Sequence, residues 1–128
     1  MKLLLDTHAL LWFLAGNPSL STPALTAIND PANERWLSPI SLVEIAIKVR
    51  INKLRLVAPF GVLFPSTLTA NSIRLRPIEA AHCASMTTLP LHHRDPFDRL
   101  IAATALVEDL TLVSADPAFD AYGVTRLW

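Results

Sequence analysis

Four acidic residues, Asp6, Glu44, Asp98 and Asp116, stand where an α/β protein keeps its reactive groups. Asp6 directly follows the apolar run Leu3-Leu4-Leu5, Asp116 lies just past the run ending at Val113, and Glu44 falls in a helical pattern after a second strand-like segment. Asp98 belongs to the first turn of a helix opened by Asp95-Pro96. In an open parallel sheet, functional groups gather beyond the carboxyl ends of the strands, so the spacing permits the four to meet in one cleft. Carboxylates crowded together repel and raise one another's pKa unless divalent cations neutralise them. The matching chemistry is that of a hard, oxygen-ligated cation such as Mg2+.

Taken singly, each acid also has a structural explanation. Glu44 closes the capping-box pattern Ser41-Leu42-Val43-Glu44, and Asp98 is a favourable acid near a helix N-terminus. Asp6 can cap the helix that follows it, although the sheet itself does not need an acid there. Asp95 reads as a helix cap. The adjacent loop residues His92 and His93 are set aside as ligands because magnesium prefers oxygen, and His8 is expected to be partly exposed near a helix start. Lys48, Arg50, Lys53 and Arg55 form one basic segment. It reads equally as a solvated face near a helix C-terminus or as a contact for nucleic-acid phosphates. Trp12, Phe13 and Trp36 are expected in the core.

The elements that must position these residues follow from short apolar runs punctuated by Pro, Asn and Asp. Lys2–Leu5 reads as a buried strand and His8–Ala15 as a helix closed by Gly16. Ser21-Thr22-Pro23 opens a helix to about Asn29, and residues 35–38 form a second strand. Apolar residues at 42, 43, 45, 46, 47, 49 and 51 predict a helix from about Leu42 to Ile51, ended by Asn52. Residues 59–71 read as helical with an interruption at Pro65, residues 72–75 as a third strand, and residues 79–87 as another helix. A helix from Pro96 to about Val107 is capped by Asp95. Residues 110–113 form a strand, 116–121 a turn or short helix, and 124–128 a closing strand. The alternation predicts an α/β fold with a central, mainly parallel sheet flanked by helices on both faces.

With 128 residues, the chain has room for one domain, taken as residues 1–128. Just over half the residues are apolar, which excludes a disordered polar chain. No stretch approaches the roughly 20 apolar residues that span a bilayer, and Asp6 interrupts what would otherwise open a signal peptide. Cys83 is the single cysteine, so disulfide and thiolate-zinc frameworks are excluded and a cytoplasmic location is expected. Eleven Lys and Arg balance eleven Asp and Glu. Any nucleic-acid contact must therefore rest on local rather than global basicity.

Four segments together resemble the acidic motifs of VapC-type PIN domains: Leu3-Leu4-Leu5-Asp6-Thr7-His8, Ser41-Leu42-Val43-Glu44-Ile45-Ala46, Asp98-Arg99-Leu100-Ile101-Ala102-Ala103 and Leu112-Val113-Ser114-Ala115-Asp116. The order is kept across nearly the whole chain, and Leu91-His92-His93-Arg94-Asp95-Pro96-Phe97-Asp98-Arg99 is the most specific stretch. The resemblance implies a PIN-like fold and an endoribonuclease with a Mg2+ or Mn2+ site at Asp6, Glu44, Asp98 and Asp116. It also implies a type II toxin neutralised by a small antitoxin of VapB type, acting on RNA and expected to form a homodimer. Ser114 stands where Thr is usual and Asn52 where Gly is usual; serine keeps the hydroxyl, and asparagine tolerates a left-handed backbone.

A haloacid-dehalogenase-like phosphatase needs a second Asp where His8 stands, and a receiver domain lacks its phosphoacceptor and lysine at the expected places. The alternative from another class is a PIN-like module without catalysis that binds RNA or protein.

Overall fold

A computed structural model describes residues 1–91 and 95–128. Five strands, β1 (Lys2–Leu5), β2 (Glu34–Leu37), β3 (Ile73–Leu75), β4 (Thr111–Val113) and β5 (Arg126–Leu127), form one sheet in the order β3-β2-β1-β4-β5, with every neighbouring pair parallel. The helices are α1 (Thr7–Ala15), α2 (Thr22–Asn29), α3 (Pro39–Arg50), α4 (Phe60–Leu63), α5 (Ser66–Ala70), α6 (Ala80–Met86) and α7 (Pro96–Glu108), with a 3₁₀ turn at Pro117–Tyr122. None of the described helices is long and apolar enough to cross a membrane.

β1 is central and explains the unbroken run of leucines. Leu3 and Leu5 enter a core formed with α1, α2, α3 and α5, while Leu4 points the other way into a core formed with α7 and the 3₁₀ turn. A strand buried on both faces needs apolar residues at every position, and side chains alternate between faces. Trp12, Phe13 and Trp36 pack at the margins of these cores and are partly buried.

Most expected elements lie within one or two residues of their observed bounds. Gly16 takes the left-handed conformation that ends α1, Asn52 does the same after α3, and Pro65 separates α4 from α5. Ser72, expected in the third strand, instead has φ of 53° and turns the chain before β3.

The start of α3 corrects the sequence reading. The helix begins one turn earlier, at Pro39, and its cap is Ser38, whose Oγ accepts the Ile40 N–H at 3.2 Å. The pattern from Ser41 to Glu44 is therefore not a capping box. Proline in the first turn lacks the N–H that would go unpaired there and has its φ preset for a helix, so Ser38-Pro39 wins as the start. Ser41 is buried inside the helix and Glu44 lies in its second turn.

A buried polar cluster not foreseen from the sequence fastens α6 to α7. His82, with no exposed surface, accepts the Glu79 N–H at Nδ1 (3.0 Å). The ring proton therefore sits on Nε2, which donates to Glu108 Oε1 at 2.7 Å. Arg76 pairs with the same oxygen. The hydrogen bond from His82, followed by that from Arg76, holds the Glu108 carboxyl below the usual carboxylate range.

Because Ser38 is the cap, Ser38→Ala is expected to lower unfolding stability by about 1 kcal/mol and Ser38→Gly by only a few tenths. Denaturant titration of both variants checks this. Equal, negligible losses would return the helix start to Ser41.

Candidate acidic active site

The Asp6 N–H donates to the Val113 carbonyl at 3.1 Å, which extends the β1–β4 pairing by one step and pins Asp6 at the carboxyl end of the sheet. Its extended backbone starts α1, and its Oδ1 accepts the Ala9 N–H at 2.7 Å. The residue is only 9% exposed. Burial pushes its carboxyl above the ordinary range, opposed by hydrogen bonds from Ser114 and Ala9 and by His8, and reinforced by the charge of Glu44. Asp6 and Glu44, far apart in sequence, are thus electrostatic neighbours.

Ser114 joins the acids from the β4 side. It is fully buried, its hydroxyl donates to Asp6, and its Oγ accepts the Asp116 N–H at 3.1 Å. Asp116 Oδ1 accepts the Ala118 N–H at 2.9 Å and caps the 3₁₀ turn.

Glu44 is held from two sides. The Thr7 hydroxyl lies 3.2 Å from Oε1 and 3.0 Å from Ser41 Oγ, and Lys48 Nζ lies 3.3 Å from Oε2. Sequence reading missed Thr7 as a partner of the acid and placed Ser41 as a helix cap rather than as a partner of Thr7. The Glu44–Lys48 pair has the favourable i,i+4 spacing of a helix surface but was not singled out in the sequence reading.

Asp98 comes from the opposite side of the chain order, as the third residue of α7, and is partly buried. Asp95 caps that helix as expected, with Oδ1 accepting the Phe97 N–H at 2.8 Å. Arg99 donates to the Met86 carbonyl at 3.2 Å and ties this end of α7 to α6. His92, His93 and Arg94 lie outside the described residues.

The basic segment does not act as one unit. Lys48 turns toward Glu44, whereas Arg50, Lys53 and Arg55 are exposed. Lys48, Lys53 and Arg55 line a groove of about 740 Å³ whose apolar wall includes Leu11, Trp12, Leu54, Leu56 and Phe64. His8, exposed as expected, lies at the same groove.

The donor set is oxygen-rich and suits a hard cation, and burial opposes the charge on Asp6 in the absence of one. Among the described residues, no group of three or more His, Cys, Asp or Glu side chains is placed to hold a metal ion. That geometry remains compatible with magnesium, which keeps several waters and needs only one or two direct carboxylates.

The PIN domain pattern matches residues 3–124. Ribonuclease VapC22 of Mycobacterium tuberculosis (strain ATCC 25618 / H37Rv) is 34% identical over 114 residues, covering 88% of this chain and 85% of the relative. The fold is similar to a chain of VapBC2 from Rickettsia felis, solved bound to a DNA fragment from their promoter, with a TM-score of 0.74, 17% identity, and coverage of 98% of this chain and 97% of that one. It is also similar to a chain of a toxin-antitoxin complex from Klebsiella pneumoniae, with a TM-score of 0.58, 16% identity, and coverage of 88% and 85%. The five-stranded parallel sheet flanked by helices is that of a PIN domain, and the chain belongs to the PIN-domain family. Within that family it is of the VapC type.

The raised Asp6 pKa has a definite sign. The folded state holds this proton to higher pH than the unfolded chain, whose Asp titrates near about 3.9. Stability therefore falls as pH rises from that value through the folded pKa, and the cost is fully present above it. Asp6→Asn keeps an oxygen for capping and removes the buried charge. It is expected to raise Tm in chelator at neutral pH and to abolish the gain on adding Mg2+, about 2.7 kcal/mol at a hundredfold excess over Kd in the parent protein. A metal-dependent gain of parental size in the variant would remove Asp6 from the site.

Proposed function

We propose that this protein is a Mg2+- or Mn2+-dependent endoribonuclease toxin that hydrolyses RNA phosphodiester bonds and is neutralised by a small antitoxin of VapB type. The observation that carries the proposal is the buried carboxylate of Asp6 beside Glu44 at the carboxyl end of a parallel sheet. The name of the 34% identical relative, Ribonuclease VapC22, supports RNA as the substrate. Asp6 and Asp98 are assigned as the direct ligands. Asp116 and Glu44 are assigned as ligands through water or as groups that orient the attacking water.

A bound divalent ion would supply charge stabilisation at the phosphoryl oxygens and acidify nearby water. The chain's own residues do the positioning. Thr7 and Lys48 hold both carboxylate oxygens of Glu44, so its orientation is set before substrate arrives. Ser114 keeps the Asp6 and Asp116 strand ends in step. Arg50, Lys53 and Arg55 do not share the bond to Glu44 that engages Lys48 and are assigned to the RNA backbone. The apolar groove with its basic rim is a suitable seat for the antitoxin, and the homodimer is retained as the expected assembly.

RNA cleavage by the purified protein is expected with Mg2+ or Mn2+ and not with chelator. Glu44→Gln should reduce the rate by orders of magnitude while changing stability by less than about 1 kcal/mol, because a partly exposed i,i+4 ion pair contributes little. A parent protein that binds RNA but never cleaves it with either metal would leave the non-catalytic binding module. Parental cleavage by Glu44→Gln would reduce the site to three acids.

Neutralising Arg50, Lys53 and Arg55 together should weaken RNA binding and flatten its dependence on salt, by about 0.7 in logarithmic slope for each single-strand phosphate no longer neutralised. The same slope before and after substitution would assign the three to a solvated face.

A further inference from the structure

Arg126 lies in β5 at the edge of the sheet, paired in register with Leu112 of β4. Its Nε and Nη2 donate to Asp120 Oδ1 and Oδ2 at 2.8 and 3.0 Å, a two-pronged contact, and its Nη1 donates to the Ser114 carbonyl at 3.1 Å. Those two partners bracket Asp116. Ser114 precedes it by two residues and Asp120 follows it by four, within the 3₁₀ turn that Asp116 itself caps. The Ser114 side chain meanwhile donates to Asp6 and receives the Asp116 N–H.

The guanidinium therefore closes a ring of contacts around residues 114–120, the segment that presents one acid and supports another. The Asp116 charge is also near enough to be felt at Arg126. Stability is a weak reason for this arrangement, because ion pairs with an exposed partner contribute only about 0–1 kcal/mol, and the Asp120 side chain is 56% exposed. A planar fork with a third donor at fixed geometry suits a different task, that of holding a carboxylate and a carbonyl at a set separation.

We propose that Arg126 is a positioning residue of the acidic site: through Asp120 and the Ser114 carbonyl it fixes the turn that presents Asp116 and keeps Ser114 aimed at Asp6. The proposal rests on the metal-site reading above and adds to it a residue from the far edge of the sheet.

Calorimetric titration of the intact protein with Mn2+ tests it in the parent, Arg126→Gln, Arg126→Lys and Asp120→Asn forms, with Tm measured in chelator alongside. Loss of a partner that orients metal ligands typically costs 10–100-fold in affinity. Arg126→Gln and Asp120→Asn should each lose about that much Mn2+ affinity with little change in chelator Tm. Arg126→Lys, which keeps the charge but not the fork, should fall between them and the parent. Parental Mn2+ affinity in Asp120→Asn and Arg126→Gln, whatever their Tm, overturns the proposal and leaves Arg126 a brace of the strand end. Should Arg126→Gln fail to fold, Asp120→Asn decides alone, since it leaves the sheet untouched. A parent protein that binds no Mn2+ overturns the acidic site itself and this proposal with it.

Discussion

The burial of one carboxylate governs the arrangement of this protein. Asp6 ends the central strand, where leucines on both faces require the sheet to be covered by helices, and so it is carried into a place where charge is costly. Its surroundings answer that cost in part. The Ala9 N–H, the Ser114 hydroxyl and His8 favour the charged form, whereas Glu44 opposes it. Burial remains the largest influence, which is the condition under which a divalent cation would bring most relief.

Glu44 shows a different solution to the same constraint. It shares the 9% exposure of Asp6 but has the Lys48 ammonium at one oxygen and the Thr7 hydroxyl at the other. Two neighbouring acids of equal burial are thus treated unequally: one compensated within the chain, the other left with its charge opposed. Lys48 also divides the basic segment, with one cation turned to the acids and the rest toward solvent. The zero net charge of the chain is consistent with RNA contact only because basicity is local.

The peripheral contacts divide into two braces. His82, Glu108 and Arg76 join the C-terminal part of α7 to α6, and Arg99 joins its N-terminal part to the same helix, so the element carrying Asp98 is secured at both ends. Arg126 secures the turn carrying Asp116 from the other edge of the sheet. Side chains other than the acids thereby stiffen both the helix that carries Asp98 and the turn that carries Asp116.

Local signals written in adjacent residues were legible in the sequence: the buried leucine strand, Gly16 and Asn52 as left-handed terminators, Asp95-Pro96 as a helix start, and the ordered acids with their resemblance to PIN domains. These depend on backbone conformation and side-chain period, which neighbours in sequence largely set. The start of α3 was misread because two overlapping local signals competed, and the one with proline in its first turn prevailed. Tertiary structure alone decided that Thr7 meets Ser41 and Glu44, that Ser114 couples Asp6 to Asp116, that His82 is buried against Glu108, and that Arg126 reaches Asp120 and Ser114. Most of these contacts join separate elements, and even the short-range bond from Arg126 to Asp120 exists only because β5 returns to pair with β4. Such geometry follows from how sheet and helices pack, which no local run of residues encodes.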